Sequence, residues 1–197
     1  MNIIMGKLKG MRLATPSKGT RPTVARVREA VFNILAPDIE GAVFWDLFAG
    51  SGAMGLTAIS LGAAECVWVE SGRAALTALK KNIAEAKKRL GNGERRFNTL
   101  NLELAKAWPS LLSMTSPQIV WADPPYDDSE RWAGFLKREL FPLANDQTCL
   151  IMEFQSKALQ KAEDRFFLDE HWETVKTRKY GGTSIIIWRK RNERPTP

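Results

Sequence analysis

Four residues near the middle of the chain, Asp123-Pro124-Pro125-Tyr126, have side chains that together can hold a planar base. They follow the apolar run Ile119-Val120-Trp121-Ala122, which predicts a buried strand. The two prolines end this strand in a stiff turn, because each fixes φ and lacks a backbone donor. An exocyclic amine could donate to the Asp123 carboxylate and to a proline carbonyl while the Tyr126 ring stacks on the base. Taken alone, the tetrapeptide is equally compatible with an ordinary Pro-Pro turn.

A second candidate site follows the first predicted strand. The segment Asp46-Leu47-Phe48-Ala49-Gly50-Ser51-Gly52-Ala53-Met54-Gly55 contains G-x-G-x-x-G between a predicted strand and a predicted helix. Glu70 ends the next strand, where a carboxylate can accept hydrogen bonds from a ribose. A carboxylate at Asp46 suits a cationic ligand with an amino group better than a pyrophosphate. S-adenosylmethionine has a sulfonium, an α-ammonium and a ribose but no phosphate, so it fits; NAD and an unliganded turn are the alternatives.

Both candidate sites come at the ends of strands in a regular alternation of strands and helices. The periodicity of apolar residues predicts helices near 24–35, 54–61, 74–90 and 129–140, with a short helix before Pro109, and strands near 43–48, 66–70, 96–100, 119–122, 148–154, 172–178 and 184–189. Repeated strand–helix units predict an α/β fold with a Rossmann-like, mostly parallel sheet and helices on both faces. The turn Tyr180-Gly181-Gly182 joins the last two strands and predicts an antiparallel strand at one end.

Basic residues are concentrated at the two ends of the chain. Residues 1–35 carry seven basic residues and one acidic residue, and so do residues 174–197, which gives each end a net charge of +6. The 138 residues between them have a net charge of −5. We expect a basic arm or hairpin over residues 1–22, one globular domain over 23–190 and a basic, disordered tail over 191–197. Such ends suit a polyanionic partner, although charged termini are also often simply solvated.

The motifs together carry a family resemblance. Asp46–Gly52 followed by Glu70 resembles the cofactor half of class I S-adenosylmethionine-dependent methyltransferases, and Asp123–Tyr126 resembles their amino-methylating motif, D/N/S-P-P-Y/F/W. Further matching segments are Gly6-Lys7-x-x-Gly10, Arg21-Pro22-Thr23, Arg26-Val27-Arg28-Glu29, Phe32-Asn33 and Tyr180-Gly181-Gly182-Thr183. Over about residues 2–190, the chain resembles the bacterial 16S rRNA guanine-N2 methyltransferase family (RsmD-like).

The resemblance implies a reaction, a cofactor and a set of site residues. It implies methyl transfer to the exocyclic N2 amine of a guanine in 16S rRNA, either free or in the small ribosomal subunit. The implied catalytic residues are Asp123, Pro124, Pro125 and Tyr126. The implied ligands of S-adenosyl-L-methionine are Asp46, Phe48, Ala49, Gly50, Ser51, Gly52, Glu70 and Asn101. Asn101 stands where such enzymes usually have an acidic residue, and its carbonyl can accept a hydrogen bond from the adenine amine.

Basic side chains of the N-terminal region are the expected RNA phosphate contacts. This set consists of Lys7, Lys9, Arg12, Arg21, Arg26 and Arg28. The apolar stripe of the first predicted helix leaves Arg26 and Arg28 on its other faces.

Composition narrows the class of protein further. Cys66 and Cys149 lie in apolar runs and are expected to be buried thiols in a reducing compartment. Two cysteines and one histidine cannot form a conventional structural zinc site, so we expect no metal. No apolar stretch reaches the 18 or more residues of a membrane span, and the N-terminus lacks a secretory signal pattern. We therefore expect a cytoplasmic protein without a membrane partner. Because one compact domain is expected, we also expect a monomer.

Two other functions are compatible with many of the same residues. A DNA or RNA adenine-N6 methyltransferase would hold its amine with the same carboxylate and carbonyl groups. A non-enzymatic RNA-binding assembly factor could retain the fold and the basic ends, although it would not need Asp46, Glu70 and Asp123 together.

Overall fold

The computed structural model describes residues 1–16, 25–91, 93–156 and 171–191. The chain divides into two compact units, Met1–Thr115 and Ser116–Pro197. Arg21 and most of the predicted tail lie outside the described residues.

The first unit alternates helices with parallel strands. Its helices are α1 (Ala25–Leu35), α2 (Ala53–Ser60), α3 (Arg73–Leu90) and α4 (Leu104–Leu112), and its strands are β1 (Val43–Asp46), β2 (Glu65–Val69) and β3 (Arg96–Leu100). β2 pairs in parallel with β1 on one side and with β3 on the other. Every residue of β1 and β2 is buried, which explains why these segments are almost continuously apolar.

Helix α4 is longer than predicted. The sequence predicted an end before Pro109, but the helix continues to Leu112. Its buried residues Leu104, Ala107, Trp108 and Leu111 follow the spacing of one helical face. Burial of this stripe therefore compensates for the backbone hydrogen bond that Pro109 cannot donate.

The N-terminal residues fold back on themselves as a hairpin-like arm. The Ile3 N–H donates to the Met11 carbonyl at 2.9 Å, and Asn2 and Arg12 form an antiparallel bridge. The Ser60 hydroxyl, at the end of α2, donates to the Met5 carbonyl at 2.6 Å and accepts the Leu8 N–H at 2.8 Å. The buried side chains of the arm are Ile3, Leu8, Met11 and Leu13. The arm is thus packed through its apolar side chains and hydrogen-bonded to the end of α2.

The second unit is mainly a strand assembly with one described α-helix. Its elements are β4 (Ile119–Ala122), α5 (Ser129–Leu140), β5 (Cys149–Gln155), β6 (Trp172–Tyr180) and β7 (Thr183–Lys190). β4 and β5 are parallel, whereas β7 is antiparallel to both β5 and β6. The register of β6 is interrupted between Thr174 and Lys176, where the strand is irregular.

The strands form a seven-stranded sheet in the order β3-β2-β1-β4-β5-β7-β6. This confirms the predicted α/β, Rossmann-like fold with a mostly parallel sheet and an antiparallel end. The tryptophans Trp45, Trp68, Trp121, Trp172 and Trp188 are fully buried in the core. Cys66 and Cys149 are buried free thiols, in agreement with their apolar surroundings in the sequence.

Two features are absent from the described ranges of the chain. No helix in these ranges is long and apolar enough to cross a membrane. The same ranges contain no group of three or more His, Cys, Asp or Glu side chains arranged to hold a metal ion.

Candidate active site

The glycine-rich segment forms a tight loop between β1 and α2. Gly50 and Gly52 have φ values of +55° and +79°, in the left-handed region that glycine adopts without steric cost. Gly52 is the N-cap residue of α2, and its N–H donates to the Ala49 carbonyl at 2.7 Å. The sequence prediction of a strand, a glycine turn and a helix in this order is confirmed.

The three glycines of the loop have different surroundings. A side chain at Gly55 would collide with Trp68 and Cys66 of β2, and one at Gly52 would collide with Leu79 of α3. A Cβ atom at Gly50 would meet nothing within 4 Å. Gly52 and Gly55 therefore allow close packing of the protein itself, whereas Gly50 leaves open space above the loop that a ligand could use.

Asp46 supports this loop from within the protein. It ends β1, is only 1% exposed, and its Oδ2 accepts the Gly55 N–H at 3.0 Å. Burial raises the pKa of the Asp46 carboxyl to about 7; the Gly55 hydrogen bond lowers it and the charge of Glu70 raises it. An adjacent cation would favour the ionised carboxylate, because it would compensate for the lost hydration.

Glu70 is fixed at the end of β2 by two backbone amides. Its Oε2 accepts the Gly50 N–H at 2.7 Å, and its Oε1 accepts the Gly72 N–H at 2.6 Å. The residue is half-buried, and each carboxylate oxygen can accept a further hydrogen bond. The structure therefore brings Asp46, Gly50 and Glu70 together. The Glu70 carboxylate is a fixed hydrogen-bond acceptor next to the open space at Gly50.

The other predicted cofactor residues differ in exposure. Phe48 is half-buried in the loop, whereas Ala49 and Ser51 are buried. Asn101 follows β3 and is exposed, so its amide can reach a ligand at the ends of the parallel strands.

Asn82 of α3 holds the glycine loop and the arm together, and the sequence interpretation did not identify it. Its amide nitrogen donates to the carbonyls of Ser51 and Ala14, both at 2.9 Å, and its amide oxygen accepts the Ala14 N–H at 2.8 Å. The side chain is 2% exposed. A polar residue on the apolar stripe of α3 was the one signal that could have identified it.

The Asp123-Pro124-Pro125-Tyr126 turn begins directly after β4, as predicted. Asp123 is half-buried, Pro124 is buried and Pro125 is exposed. Tyr126 opens a one-turn 3₁₀ helix, and its carbonyl accepts a hydrogen bond from the Ser129 hydroxyl at 2.9 Å. The Pro125 carbonyl accepts the Asp128 N–H at 3.0 Å. Local hydrogen bonds thus close the turn directly into α5.

The Tyr126 hydroxyl is anchored by two residues that the sequence interpretation missed. It lies 3.5 Å from Oε1 of Glu153 on β5 and 3.3 Å from Oγ1 of Thr183 at the start of β7. Glu153 is 5% exposed and lies between the apolar residues Met152 and Phe154 of β5. These contacts fix the outer end of the phenol ring.

The predicted phosphate-binding residues do not share one environment. Lys7, Lys9, Arg12 and Arg26 are exposed. Arg28, predicted to lie off the apolar stripe, is instead 1% exposed, and its guanidinium donates to the Asn2 carbonyl at 3.1 Å and contacts the Met1 sulfur at 3.0 Å. Burial also lowers the pKa of Arg28. Arg28 therefore joins α1 to the arm.

A groove of about 740 Å³ lies between the arm and α3. Arg12 lines it together with Lys81, Lys88 and Arg89, and Arg89 forms an ion pair with Glu85 at 2.7 Å. Arg12, a predicted phosphate ligand, thus lines a basic groove. The basic residues that α3 contributes to this groove were not among the predicted phosphate ligands.

Comparison with known proteins identifies the family. The model of the family described as "Conserved hypothetical protein 95" matches residues 1–189. The chain belongs to this family. The predicted RsmD-like resemblance is thereby confirmed.

Relatives and solved structures agree with this assignment. The chain is 41% identical to Ribosomal RNA small subunit methyltransferase D of Escherichia coli K12 over 64% of its own length and 60% of that protein. It is 30% identical to YlbH of Bacillus subtilis over 97% of its own length and all of that protein. The solved Escherichia coli protein yhhF has 27% identity and a TM-score of 0.71 over 98% of this chain and 99% of the other. The match to the first of these relatives thus spans about three fifths of that relative.

Proposed function

We propose that this protein transfers a methyl group from S-adenosyl-L-methionine to the exocyclic N2 amine of a guanine in 16S rRNA. The observation that carries the proposal is the Asp123-Pro124-Pro125-Tyr126 turn after β4, with the Tyr126 hydroxyl fixed by Glu153 and Thr183. This turn supplies hydrogen-bond acceptors and a stacking surface. The family relative named Ribosomal RNA small subunit methyltransferase D supports small-subunit rRNA as the substrate.

The residues of the first unit have the chemistry that the cofactor requires. Glu70 would accept hydrogen bonds from the ribose hydroxyls, and the open space above Gly50 would admit the ligand. Asp46 would act on the α-ammonium through its charge from beneath the loop, since its carboxylate is buried and bonded to Gly55. Asn101 would accept from the adenine amine. The bound cofactor supplies an electrophilic methyl group on a sulfonium: its S–C bond would break as the new N–C bond forms, a neutral thioether would leave, and the methylated nitrogen would lose one proton to Asp123 or to water.

The acceptor amine must be oriented, since its lone pair is delocalised into the guanine ring. Asp123 and the Pro124 carbonyl would accept its two hydrogens, which draws the lone pair out of conjugation and stabilises positive charge as it develops on nitrogen. Tyr126 would hold the extruded base by stacking. Because its hydroxyl is anchored, the ring would lose little conformational freedom on binding, so more of the stacking energy would be used for orientation.

The RNA would be held through its phosphates by the exposed basic residues of the arm and α1. In this proposal Lys7, Lys9, Arg12 and Arg26 contribute, and Arg21 remains in the set as a prediction. Arg28 is omitted because its guanidinium is buried and bonded to Asn2. We further propose that the protein acts as a cytoplasmic monomer.

Methyl transfer from tritiated S-adenosylmethionine tests the proposal. The substrates are under-methylated small ribosomal subunits, naked 16S rRNA and DNA, each followed by nucleoside analysis. We expect N2-methylguanosine in the rRNA. N6-methyladenine would establish the adenine enzyme instead, and absence of label from every substrate would leave a non-enzymatic RNA-binding role.

The Asp123→Ala variant tests the site assignment. We expect transfer to fall at least 100-fold, since the main acceptor for the amine is lost, while the Kd for the cofactor changes less than about threefold. The matched control is Asp127→Ala, which removes an exposed carboxylate from the same turn and should keep full activity. Equal losses in the two variants, or loss of cofactor binding in Asp123→Ala, would contradict the assignment.

A further inference from the structure

The turn between β6 and β7 lies beside Tyr126. Thr183, the first residue of β7, has its hydroxyl 3.3 Å from the Tyr126 hydroxyl. Ser156 holds the turn in place, because its N–H donates to the Gly182 carbonyl at 2.9 Å and its hydroxyl contacts the Gly181 carbonyl at 3.2 Å. The hairpin is therefore fixed next to Tyr126, the residue proposed to stack on the target base.

Strand register determines which side chains of β6 share a face with Tyr126. Tyr180 is directly opposite Thr183, and Arg178 is opposite Ile185. Directly opposed residues of an antiparallel pair lie on the same face, as do residues two apart along a strand. Tyr180 and Arg178 consequently lie on the Thr183 face, with Arg178 about 7 Å further along the strand. Lys179, opposite Ser184, lies on the other face.

The two residues on this face have the chemistry to bind a nucleic acid strand. Arg178 is exposed, and its guanidinium donates to the carbonyl of its neighbour Thr177 at 3.1 Å. In the described part of the chain, no carboxylate forms an ion pair with it. Several guanidinium donors thus remain for a phosphate, and the half-buried Tyr180 ring offers a stacking surface.

We propose that this face of the β6–β7 hairpin holds the RNA strand next to the target nucleotide. Tyr180 stacks on the base that flanks the extruded guanine, and Arg178 binds a phosphate of the same strand. The partner is a single-stranded segment of RNA, because a paired segment would not expose its bases for stacking. This inference rests on the proposed function and adds a second contact region to that of the N-terminal arm.

Substitutions on the two faces of β6 test the inference. The test compares Arg178→Gln with Lys179→Gln, which removes another exposed cation from the opposite face of the same strand. Arg178→Gln should raise the KM for rRNA about five- to tenfold with kcat and cofactor Kd within twofold, and should reduce the log–log salt slope of RNA binding by about 0.7. Lys179→Gln should change the KM, kcat and cofactor Kd by less than about twofold and should leave the salt slope unchanged.

A second pair of variants tests Tyr180, one that removes its aromatic ring and one that keeps it. Tyr180→Ala should weaken binding of a single-stranded RNA oligonucleotide, measured by fluorescence anisotropy, about fivefold or more, whereas Tyr180→Phe should bind as the wild type does. Equal RNA affinity of Arg178→Gln and Lys179→Gln, or equal loss in both Tyr180 variants, would overturn the inference. If the wild type binds RNA but transfers no methyl group, the proposed function fails instead, and the two failures are thus distinguishable.

Discussion

At the scale of single residues, Asp46 combines a structural and an electrostatic role. Its carboxylate fixes the Gly55 amide, yet it is buried with a pKa raised to about 7 from an ordinary value of 3.8. The folded protein therefore keeps a proton that the unfolded chain releases between about pH 4 and pH 7. Over this range Asp46 makes the free energy of unfolding fall as the pH rises.

Asp46→Asn should remove this pH dependence. The amide oxygen can still accept the Gly55 N–H, but the side chain no longer ionises. The wild type should lose about 3 to 4 kcal/mol of unfolding free energy through Asp46 as the pH rises from 4 to 8, and the variant should not show this loss. Urea unfolding at several pH values measures the difference, with Asp127→Asn, an exposed carboxylate, as the control. Parallel curves for wild type and Asp46→Asn would contradict the assignment of a raised pKa.

Tyr126 has separable contributions from its ring and its hydroxyl. Tyr126→Phe loses the contacts to Glu153 and Thr183, which should cost about 1 kcal/mol of stability and reduce kcat only several-fold. Tyr126→Ala also loses the stacking surface, worth about 1 to 3 kcal/mol, so methyl transfer should fall a further 5- to 150-fold or so. Transfer assays and thermal unfolding on both variants check this. If Phe and Ala are equally impaired, the ring does not stack on the base.

At the scale of elements, the glycine loop separates packing from ligand access. Gly55→Ala should destabilise the protein by about 2 kcal/mol or more, because its methyl group collides with Trp68 and Cys66 between α2 and β2. Gly50→Ala meets no atoms but requires a non-glycine residue at φ +55°, a cost of about 1 to 2 kcal/mol. Calorimetric cofactor titration should find weaker binding for Gly50→Ala at a temperature where it is folded. Unchanged cofactor affinity would mean that the ligand does not approach Gly50.

The sequence was sufficient for elements whose apolar pattern is local. The apolar runs near 43–48 and 66–70 predicted buried parallel strands, and the structure has them at Val43–Asp46 and Glu65–Val69, with every residue of both strands buried. The Pro-Pro turn and the glycine loop were predictable because each needs particular backbone angles.

Contacts between distant segments could not be read from the sequence. Helical periodicity assigns Arg28 to a polar face, but the Asn2 carbonyl, 26 residues away, provides the partner that permits its burial. Similarly, the contact between Tyr126 and Thr183 joins residues 57 positions apart. Pro109 indicated a helix end, but the helix continues beyond it and buries Leu111. That burial depends on tertiary packing, which the local sequence does not show. In each case, the observed structure depends on contacts with residues far away in the sequence, which local sequence patterns do not show.

At the scale of the whole molecule, charge should govern RNA affinity. The five basic residues retained in the arm and α1, together with Arg178, would make six phosphate contacts and give a log–log salt slope of roughly −4, at about 0.7 per contact for a single strand. Replacing Lys7, Lys9 and Arg12 with glutamine should reduce the slope by about 2, because their side chains are exposed. Filter binding between low and moderate salt measures it. The control is Lys106→Gln, which removes an exposed cation already paired with Glu103; a similar reduction there would indicate non-specific attraction.

The position of β6 has a consequence for solubility. It ends the sheet order and pairs only with β7 in the described part of the chain, so its other edge presents unpaired backbone groups. Such an edge invites strand addition by a second molecule, which leads to aggregation. The irregularity between Thr174 and Lys176 distorts this edge, and the cations Lys176, Arg178 and Lys179 repel a like strand. Arg178, proposed to bind a phosphate of the RNA, is thus also one of the charges expected to hinder two molecules from joining through this edge of the sheet.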